Sequence, residues 1–188
     1  MTASRNDSAS ALIAEMQLYY ARRADVYDAS MGYDNLDVVR SLQPVIDALC
    51  DELRGRTVLE IACGPGFWTQ RVTEAARFIV ASDYNESTLA RARDKPIDGN
   101  RVTFVRADAY DLSSISQTFT GAFAVDWLAH VPASHLHIFL DGLHRKLEPG
   151  ARVAFCDQNP GRHPSPACTM PKAIISRNAI SRTARAIE

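Results

Sequence analysis

The sequence lacks the features of a membrane protein, a metalloenzyme or a secreted disulfide-bonded domain. No stretch approaches the roughly 20 apolar residues that a membrane-spanning helix needs, and the polar N-terminal residues lack the apolar core of a signal peptide. No group of His, Cys, Asp and Glu has metal-ligand spacing. The 4 cysteines lie mostly in apolar runs, which favours buried free thiols over disulfides. We therefore expect a cytoplasmic chain with no membrane partner and no metal.

An excess of either charge is also absent. The chain of 188 residues has a formal net charge of −1, so electrostatics give no reason to expect nucleic acid as a partner. With 46% hydrophobic and 23% charged residues, its composition is that of a globular domain rather than a disordered chain. The length suffices for one domain with a substantial core. The function must therefore be sought in local motifs.

What the sequence does contain is a regular alternation of apolar runs and helical patterns. Amphipathic helices are predicted over residues 9–23 and 35–54, and Pro44 suggests that the second one is kinked or starts later. The elements predicted from residue 55 onward are strands over 57–61, 77–82, 101–106, 120–125 and 151–156, helices over 67–76, 86–93, 111–117 and 134–147, and a turn at 148–150. This order predicts an α/β fold, a Rossmann-like doubly wound, mostly parallel sheet of about five strands with helices on both faces.

Small and acidic residues cluster at the carboxyl ends of the predicted strands. The first strand runs into a loop whose glycines let backbone approach a ligand closely. Ligands of doubly wound sheets bind at this edge, where the strand order reverses. The agreement among four strands predicts a site for a ligand with a ribose and an amine-bearing tail. The residues concerned are Glu60, Gly64, Asp83, Asp108 and Asp126.

These segments resemble class I S-adenosylmethionine-dependent methyltransferases of the small-molecule type. The run from Val58 to Gly66 is similar to the glycine motif of that family, with Ala62 where glycine is commoner. The run from Ser82 to Arg93 resembles the segment that carries the ribose-binding acid. Residues 107–109 resemble the adenine-contacting segment, and the turn before the fifth strand is also similar. The resemblance covers roughly residues 19–157 and implies an S-adenosylmethionine site.

The resemblance implies a nucleoside-binding role for four residues. Asp83 would accept hydrogen bonds from both ribose hydroxyls through its two oxygens. Tyr84 would pack on the adenine ring. Asp108 would accept a hydrogen bond from the adenine amino group, and the Ala109 backbone N–H would donate to a ring nitrogen.

The resemblance places five further residues around the methionine portion of the cofactor. Gly64 and Gly66, in the loop that also contains Ala62, would let backbone lie along that portion. Glu60 would orient the loop and favour the positive charge of the ligand. The Asp126 backbone would face the methionine amino group.

Two residues are candidates for a catalytic base. Methyl transfer from a sulfonium needs mainly alignment and exclusion of water, and a base only if the acceptor loses a proton. His130 follows the fourth strand, and Tyr20 lies in the N-terminal helix. A histidine at this position also suits a structural cap, and both interpretations stay open. The N-terminal tyrosines likewise either pack their helix against the domain or form a lid over the pocket.

The sequence divides into three parts in this interpretation. A helical lead-in and lid over 1–54 precedes an S-adenosylmethionine-binding core over 55–157 and an atypical tail over 158–188. Members of the family continue past the fifth strand with a helix and an antiparallel strand pair, for which this tail is short. Residues 172–176 are a candidate strand and 181–187 a candidate helical turn. Because an uncovered fifth strand is an apolar sheet edge, we expect a truncated, less stable chain, a tail that covers the edge, or a homodimer through it.

Three functions are in competition at this point. The leading hypothesis is methyl transfer from S-adenosylmethionine to a small-molecule O, N or S acceptor. An NAD(P)-dependent oxidoreductase is disfavoured because the loop has no third glycine for close helix–strand packing. A non-catalytic S-adenosylmethionine-binding remnant is the third hypothesis.

Overall fold

The structure, a computed structural model, describes residues 3–157 and 172–176. The helices in this part of the chain are α1 (Ala3–Arg23), α2 (Tyr27–Ser30), α3 (Leu36–Leu53), α4 (Phe67–Val72), α5 (Glu86–Arg93) and α6 (Leu136–Arg145). The strands are β1 (Thr57–Ile61), β2 (Phe78–Asp83), β3 (Val102–Arg106), β4 (Phe119–Val125), β5 (Leu147–Cys156) and β6 (Lys172–Ser176). Two short 3₁₀ helices, Leu128–His130 and Ala133–His135, lie between β4 and α6.

The strands form one sheet in the order β3-β2-β1-β4-β5-β6. The first five run parallel, and β6 is antiparallel to β5. The Rossmann-like α/β prediction with five parallel strands is therefore confirmed. The strand order reverses between β1 and β4, which places a crevice at their carboxyl ends.

Side chains alternate between two cores on opposite faces of the sheet. Along β1, Val58 packs in one core and Leu59 in the other, and neither is exposed. The first core also contains buried residues of α3, α4 and α5, and the second contains those of α6. This period of two explains why central parallel strands read as continuous apolar runs. The predicted helices on both faces are confirmed.

The helix α3 begins earlier than one interpretation of Pro44 suggested. The Asn35 side chain accepts a hydrogen bond from the Asp37 backbone N–H at 2.9 Å and caps the helix at its first turn. The helix then continues through Pro44 to Leu53. The alternative of a later start is therefore wrong. The buried apolar face of α3 supplies the stability that Pro44 reduces.

Two predicted local elements are wrong because a single side chain or a glycine redirects the backbone there. Residues 111–117 form turns rather than a helix, and the Asp111 carboxylate accepts a hydrogen bond from the Ser113 backbone N–H at 3.0 Å. Residues 148–150 lie within β5 as an irregularity, not as a turn before it. The register between β4 and β5 shifts there, and Gly150 has a left-handed φ of 79°.

The outer edge of β5 is paired with β6. The pairing runs antiparallel from Arg152 opposite Ser176 to Cys156 opposite Lys172. The expectation of an open fifth-strand edge is therefore wrong, and the predicted homodimer loses that basis. The candidate strand at residues 172–176 forms and covers this edge. The predicted turn at 181–187 and the remainder of the tail lie outside the described residues.

Three cysteines fall in the described part of the chain, and all are free thiols. Cys63 and Cys156 are buried, and Cys50 is half-buried. Residues 3–157 and 172–176 contain no group of His, Cys, Asp and Glu that could hold a metal ion. Within the same residues, none of the helices combines the length and apolar character needed to cross a membrane. Cys168 lies outside the described residues.

Candidate active site

A pocket that is partly open to solvent lies at the carboxyl ends of the central strands and under α1. Its empty space, open solvent included, is about 730 Å³. It brings together both candidate bases and seven of the nine residues expected to bind the cofactor. The predicted residues that line it are Tyr20, Ala62, Gly64, Asp83, Tyr84, Asp108, Ala109, Asp126 and His130. Glu60 and Gly66 do not line it.

The loop between β1 and α4 turns through three left-handed residues. Ala62, Gly64 and Gly66 have φ values of 53°, 53° and 82°. Glycine adopts this conformation without strain, whereas a residue with a Cβ pays roughly 1–2 kcal/mol. The alanine that departs from the family pattern therefore stands at a position whose backbone favours glycine. The alternation of left-handed residues folds the loop over the end of β1.

Asp83 ties this loop to the end of β2. Its Oδ2 accepts a hydrogen bond from the Gly64 backbone N–H at 2.9 Å. Its Oδ1 accepts from the Asn85 backbone N–H at 2.8 Å and from the Thr88 hydroxyl at 2.9 Å. Burial raises the pKa of Asp83, and these hydrogen bonds act in the opposite direction. A hydrogen bond from the Tyr84 backbone also acts on this carboxylate, so backbone groups of the loop and of the turn after β2 together hold Asp83 in place.

Glu60 supports the loop from inside the protein. It is 1% exposed, and its Oε2 accepts a hydrogen bond from the Thr69 hydroxyl of α4 at 2.6 Å. Its backbone carbonyl accepts from the Ser82 hydroxyl at 2.8 Å. Burial raises the pKa of Glu60 to about 8, so the carboxyl is mainly protonated at pH 7. The hydrogen bond with Thr69 ties the end of β1 to α4.

Gly66 allows α4 and α5 to approach each other. A Cβ at this position would lie 3.0 Å from the Ala92 Cβ and 3.3 Å from the Ala92 Cα. Such a contact is too short for an unshifted side chain. The glycine is therefore required by helix packing behind the loop, and the structure places it away from the pocket wall.

The expected adenine-binding residues form one side of the pocket. Tyr84 is 39% exposed, and the Arg106 guanidinium lies 5.5 Å from its ring centroid. The Arg106 Nε also donates to the Tyr84 carbonyl at 3.0 Å. Asp108 uses Oδ1 to accept from the Tyr110 backbone N–H at 2.9 Å, and Ala109 follows it on the pocket wall. This side presents one aromatic ring, one carboxylate and backbone groups.

Asp126 lies where β4 leaves the sheet. Its backbone is left-handed, with a φ of 54°, and its N–H donates to the Cys156 carbonyl at 2.7 Å. The residue lines the pocket beside the N-terminal tyrosines. Burial raises the pKa of Tyr27 and of Tyr33, and the Asp126 charge raises both further. The carboxylate therefore acts on the tyrosine-lined part of the pocket.

The two candidate bases contact each other. The Tyr20 hydroxyl lies 3.0 Å from the His130 Nε2, and their ring centroids are 5.5 Å apart. Burial lowers the pKa of His130, while the nearby Asp157 opposes this change. Burial also raises the pKa of Tyr20. Both groups are consequently neutral at pH 7, the state in which a histidine accepts a proton.

The N-terminal helix both packs on the domain and covers the pocket. The Asn85 side chain donates to the Gln17 carbonyl at 3.0 Å, and the Ser87 hydroxyl donates to the Ala21 carbonyl at 3.2 Å. An ion pair of 2.8 Å between Arg91 and Asp25 extends this attachment along α5. The two interpretations of the tyrosines are therefore compatible in one arrangement.

Several pocket residues escaped the sequence analysis. Met16 and Gln17 come from α1, and Asn85 and Thr88 from the start of α5. The spacing of four residues between Met16 and Tyr20 is a usable signal for one face of α1. The polar residues gave no such signal, because their position depends on how α1 docks against α5.

Comparison with known proteins identifies the core of the chain. Residues 58–150 match a family model described as a methyltransferase domain. A demethylmenaquinone methyltransferase of Clavibacter sepedonicus is 29% identical over 148 residues, which cover 79% of this chain and 57% of that protein. An O-methyltransferase of Aspergillus nomiae is 27% identical over 109 residues, covering 56% of this chain and 48% of that protein. The chain thus spans about half the length of these curated relatives.

A solved structure shares the fold over most of both chains. The complex of DhpI with SAH has a TM-score of 0.71 and 25% sequence identity to this chain. The similarity covers 94% of this chain and 87% of that one.

Proposed function

We propose that this chain transfers a methyl group from S-adenosylmethionine to a small-molecule O, N or S acceptor. The match of residues 58–150 to the methyltransferase domain family, within the class I S-adenosylmethionine-dependent methyltransferases, supports this proposal. The observation that carries the proposal is the bond between Gly64 and Asp83 in the pocket. It joins a left-handed loop to a buried carboxylate that lines the pocket. That combination suits a ribose at the end of β2.

The nucleoside portion of the donor would bind on the β2 and β3 side. Asp83 would accept hydrogen bonds from the ribose hydroxyls through its two oxygens. Tyr84 packs against adenine, and Asp108 accepts from the adenine amino group. The Ala109 backbone N–H donates to a ring nitrogen. All four residues line the pocket.

The methionine portion would lie over the loop after β1. The backbone at Ala62 and Gly64 borders it directly. Glu60 and Gly66 contribute from behind, by fixing α4 and by letting α5 approach. The Asp126 carbonyl faces the methionine amino group, because the N–H of that residue is already engaged with Cys156.

Tyr20 and His130 would form a proton-accepting pair for the acceptor. The methyl carbon moves in line from the sulfonium to the acceptor atom, and the electron pair of the broken bond stays on sulfur. An acceptor that must lose its proton passes it to neutral His130, with the Tyr20 hydroxyl fixing the ring. Covering by α1 limits the access of water to the reacting atoms.

The organisation of the chain follows from these roles. Residues 1–54 act as the acceptor-facing lid, and residues 55–157 hold the donor. Free Cys63 and Cys156 suit a reducing cytoplasm. The net charge of −1 provides no attraction for nucleic acid as the acceptor.

Calorimetric titration with S-adenosylhomocysteine and with NAD tests the proposal. We expect S-adenosylhomocysteine, the product of the methyl donor, to bind and NAD not to bind. Preferential binding of NAD would support the oxidoreductase hypothesis and contradict the proposal. A labelled-methyl assay over a panel of O, N and S acceptors then distinguishes an enzyme from a binding remnant, because the remnant binds the product without turnover.

A further inference from the structure

Two asparagines occupy the same position before their helices but form different hydrogen bonds. Asn35 precedes α3 with a φ of −92° and a ψ of 118°, and Asn85 precedes α5 with a φ of −93° and a ψ of 119°. The Asn35 side chain accepts a hydrogen bond from the Asp37 backbone N–H and caps its helix. The Asn85 side chain makes no such bond in α5, although its backbone has the same conformation. A contact outside its own helix therefore directs the Asn85 side chain.

That contact is with the N-terminal helix. The Asn85 Nδ2 donates a hydrogen bond to the Gln17 carbonyl of α1 at 3.0 Å, across 68 residues of chain. Gln17 lies just under one helical turn before Tyr20, the partner of His130, and all three residues line the pocket. The Asn85 side chain therefore attaches to α5 the part of α1 that covers the pocket.

The backbone of the same residue belongs to the donor side of the pocket. The Asn85 backbone N–H donates to the Asp83 Oδ1 at 2.8 Å, in a turn that the Asp83 side chain closes. The Asp83 Oδ2 accepts from the Gly64 N–H of the loop after β1. Asn85 thus bonds to Asp83 through its backbone and to Gln17 through its side chain. A ligand that orders the Asp83 carboxylate also orders the backbone from which the amide reaches α1.

We propose, on the basis of the donor site proposed above, that Asn85 is a positioning residue that couples donor binding at Asp83 to the docking of α1. A bound ribose orders the Asp83 carboxylate, the turn to Asn85 and the amide bond to Gln17, so α1 docks more tightly over an occupied donor site. When α1 undocks, the Asn85 side chain turns to cap α5, as Asn35 caps α3, and this bond compensates for the one lost to Gln17. The coupling is reciprocal, because a docked α1 raises the affinity for the donor by the same factor.

Hydrogen exchange of the full chain, with and without saturating S-adenosylhomocysteine, tests the coupling. In the native protein we expect the product to slow exchange of the α1 backbone amides of residues 14–21 about threefold. Asn85→Ser keeps the backbone N–H and a side chain that caps α5, but serine is too short to reach Gln17. In this variant the product should bind without slowing exchange in α1. Equal slowing in the native protein and Asn85→Ser would overturn the proposal, because the ligand would then stabilise α1 directly.

Ser87→Ala is the matched control, because the Ser87 hydroxyl also attaches α5 to α1, through the Ala21 carbonyl at 3.2 Å, in a bond that does not involve Asp83. This variant should exchange faster in α1 but keep the slowing by the product. Calorimetry should show about a threefold loss of affinity for S-adenosylhomocysteine in Asn85→Ser and none in Ser87→Ala. Loss of the slowing in both variants would show that Asn85 is a simple attachment and would contradict the proposal.

The native protein separates this inference from the proposed function. Should it fail to bind S-adenosylhomocysteine, the proposed function itself fails. Should it bind that product without any change of exchange in α1, only the coupling through Asn85 fails. Retained binding of the product shows that each variant is folded.

Discussion

The proposed donor side and the proposed acceptor side of the pocket are built in different ways. On the donor side, the loop after β1 and the end of β2 are joined through backbone, as in the Gly64 N–H bond to Asp83. On the acceptor side, Tyr20 and His130 meet across 110 residues of chain through side chains alone. The comparison teaches that backbone geometry fixes the donor site, whereas the acceptor site depends on how α1 docks.

The largest expected effect is the pH dependence of stability caused by Glu60, which is buried beneath the donor side of the pocket. The folded-state pKa of about 8 exceeds the ordinary value of 4.5, so the protonated carboxyl favours the folded protein. Its contribution to stability is complete below pH 4.5 and is lost as the pH rises through about 8, by on the order of a few kcal/mol. Denaturant unfolding at several pH values should show this decline in the native protein and a smaller one in Glu60→Gln.

Glu74→Gln serves as the control for losing a carboxylate, because Glu74 is exposed on the turn after α4. It should follow the pH profile of the native protein. Identical profiles for the native protein and Glu60→Gln would show that Glu60 is not a buried, protonated support of the donor side.

On the acceptor side, His130→Gln should lower kcat about 100-fold, because it removes the proposed proton acceptor. Tyr20→Phe should have a smaller effect, and the double variant should be little worse than His130→Gln, since the two side chains act as a pair. Steady-state assays with an acceptor found in the labelled-methyl panel measure these values. Full activity of His130→Gln would show that His130 is a structural cap and not a proton acceptor.

The activity measured in the same assay should depend on pH. Burial lowers the pKa of His130 below its ordinary 6.5, and only the neutral ring accepts a proton. The activity of the native enzyme should therefore fall on the acid side with a midpoint below 6.5. A midpoint above that value would contradict the environment described for His130.

The packing of α4 against α5, behind the loop after β1, predicts the next effect on stability. Gly66→Ala should destabilise the protein by about 2–3 kcal/mol, because the new Cβ would lie 3.0 Å from the Ala92 Cβ on a left-handed backbone with a φ of 82°. Gly150→Ala is a matched control, with a φ of 79° and no atom within 4 Å of an added Cβ. It should cost only about 1 kcal/mol. Equal losses in denaturant unfolding would remove the packing role of Gly66.

The smallest expected effect is a gain in stability. Ala62→Gly should raise the free energy of unfolding by about 0.5–1 kcal/mol, since the left-handed strain relieved exceeds the entropy that glycine loses. Ala90→Gly, at an exposed position in α5, should instead lower it by about 1 kcal/mol. Loss of stability in both variants would show that Ala62 is not strained.

The sequence was sufficient for the parallel sheet because buried strands produce uninterrupted apolar runs. It failed where one or two residues redirect the chain. Asp111 accepts from the Ser113 backbone and keeps the segment as turns, and Gly150 permits an irregularity inside β5. Such choices depend on a single side chain or on register with a neighbouring strand, which periodicity does not describe.

The donor site was largely predictable for a similar reason. Asp83 and Gly64 lie in local motifs next to strands, so their positions follow from the fold. The roles of Glu60 and Gly66 did not follow, since they depend on a 1% exposed carboxyl and on the approach of α5. Gln17 and Asn85 were missed as pocket residues because their positions depend on the docking of α1 against α5.

The central claim is that the pocket has a donor side anchored by Asp83 and an acceptor side formed by Tyr20 and His130. Calorimetric titration of S-adenosylhomocysteine into folded Asp83→Ala and His130→Gln tests it most directly. The account predicts about a 30-fold or greater loss of affinity in Asp83→Ala, because a charge-assisted hydrogen bond and the Gly64 anchor are removed together. It predicts unchanged affinity in His130→Gln. Native affinity in Asp83→Ala, or equal losses in the two variants, would contradict it.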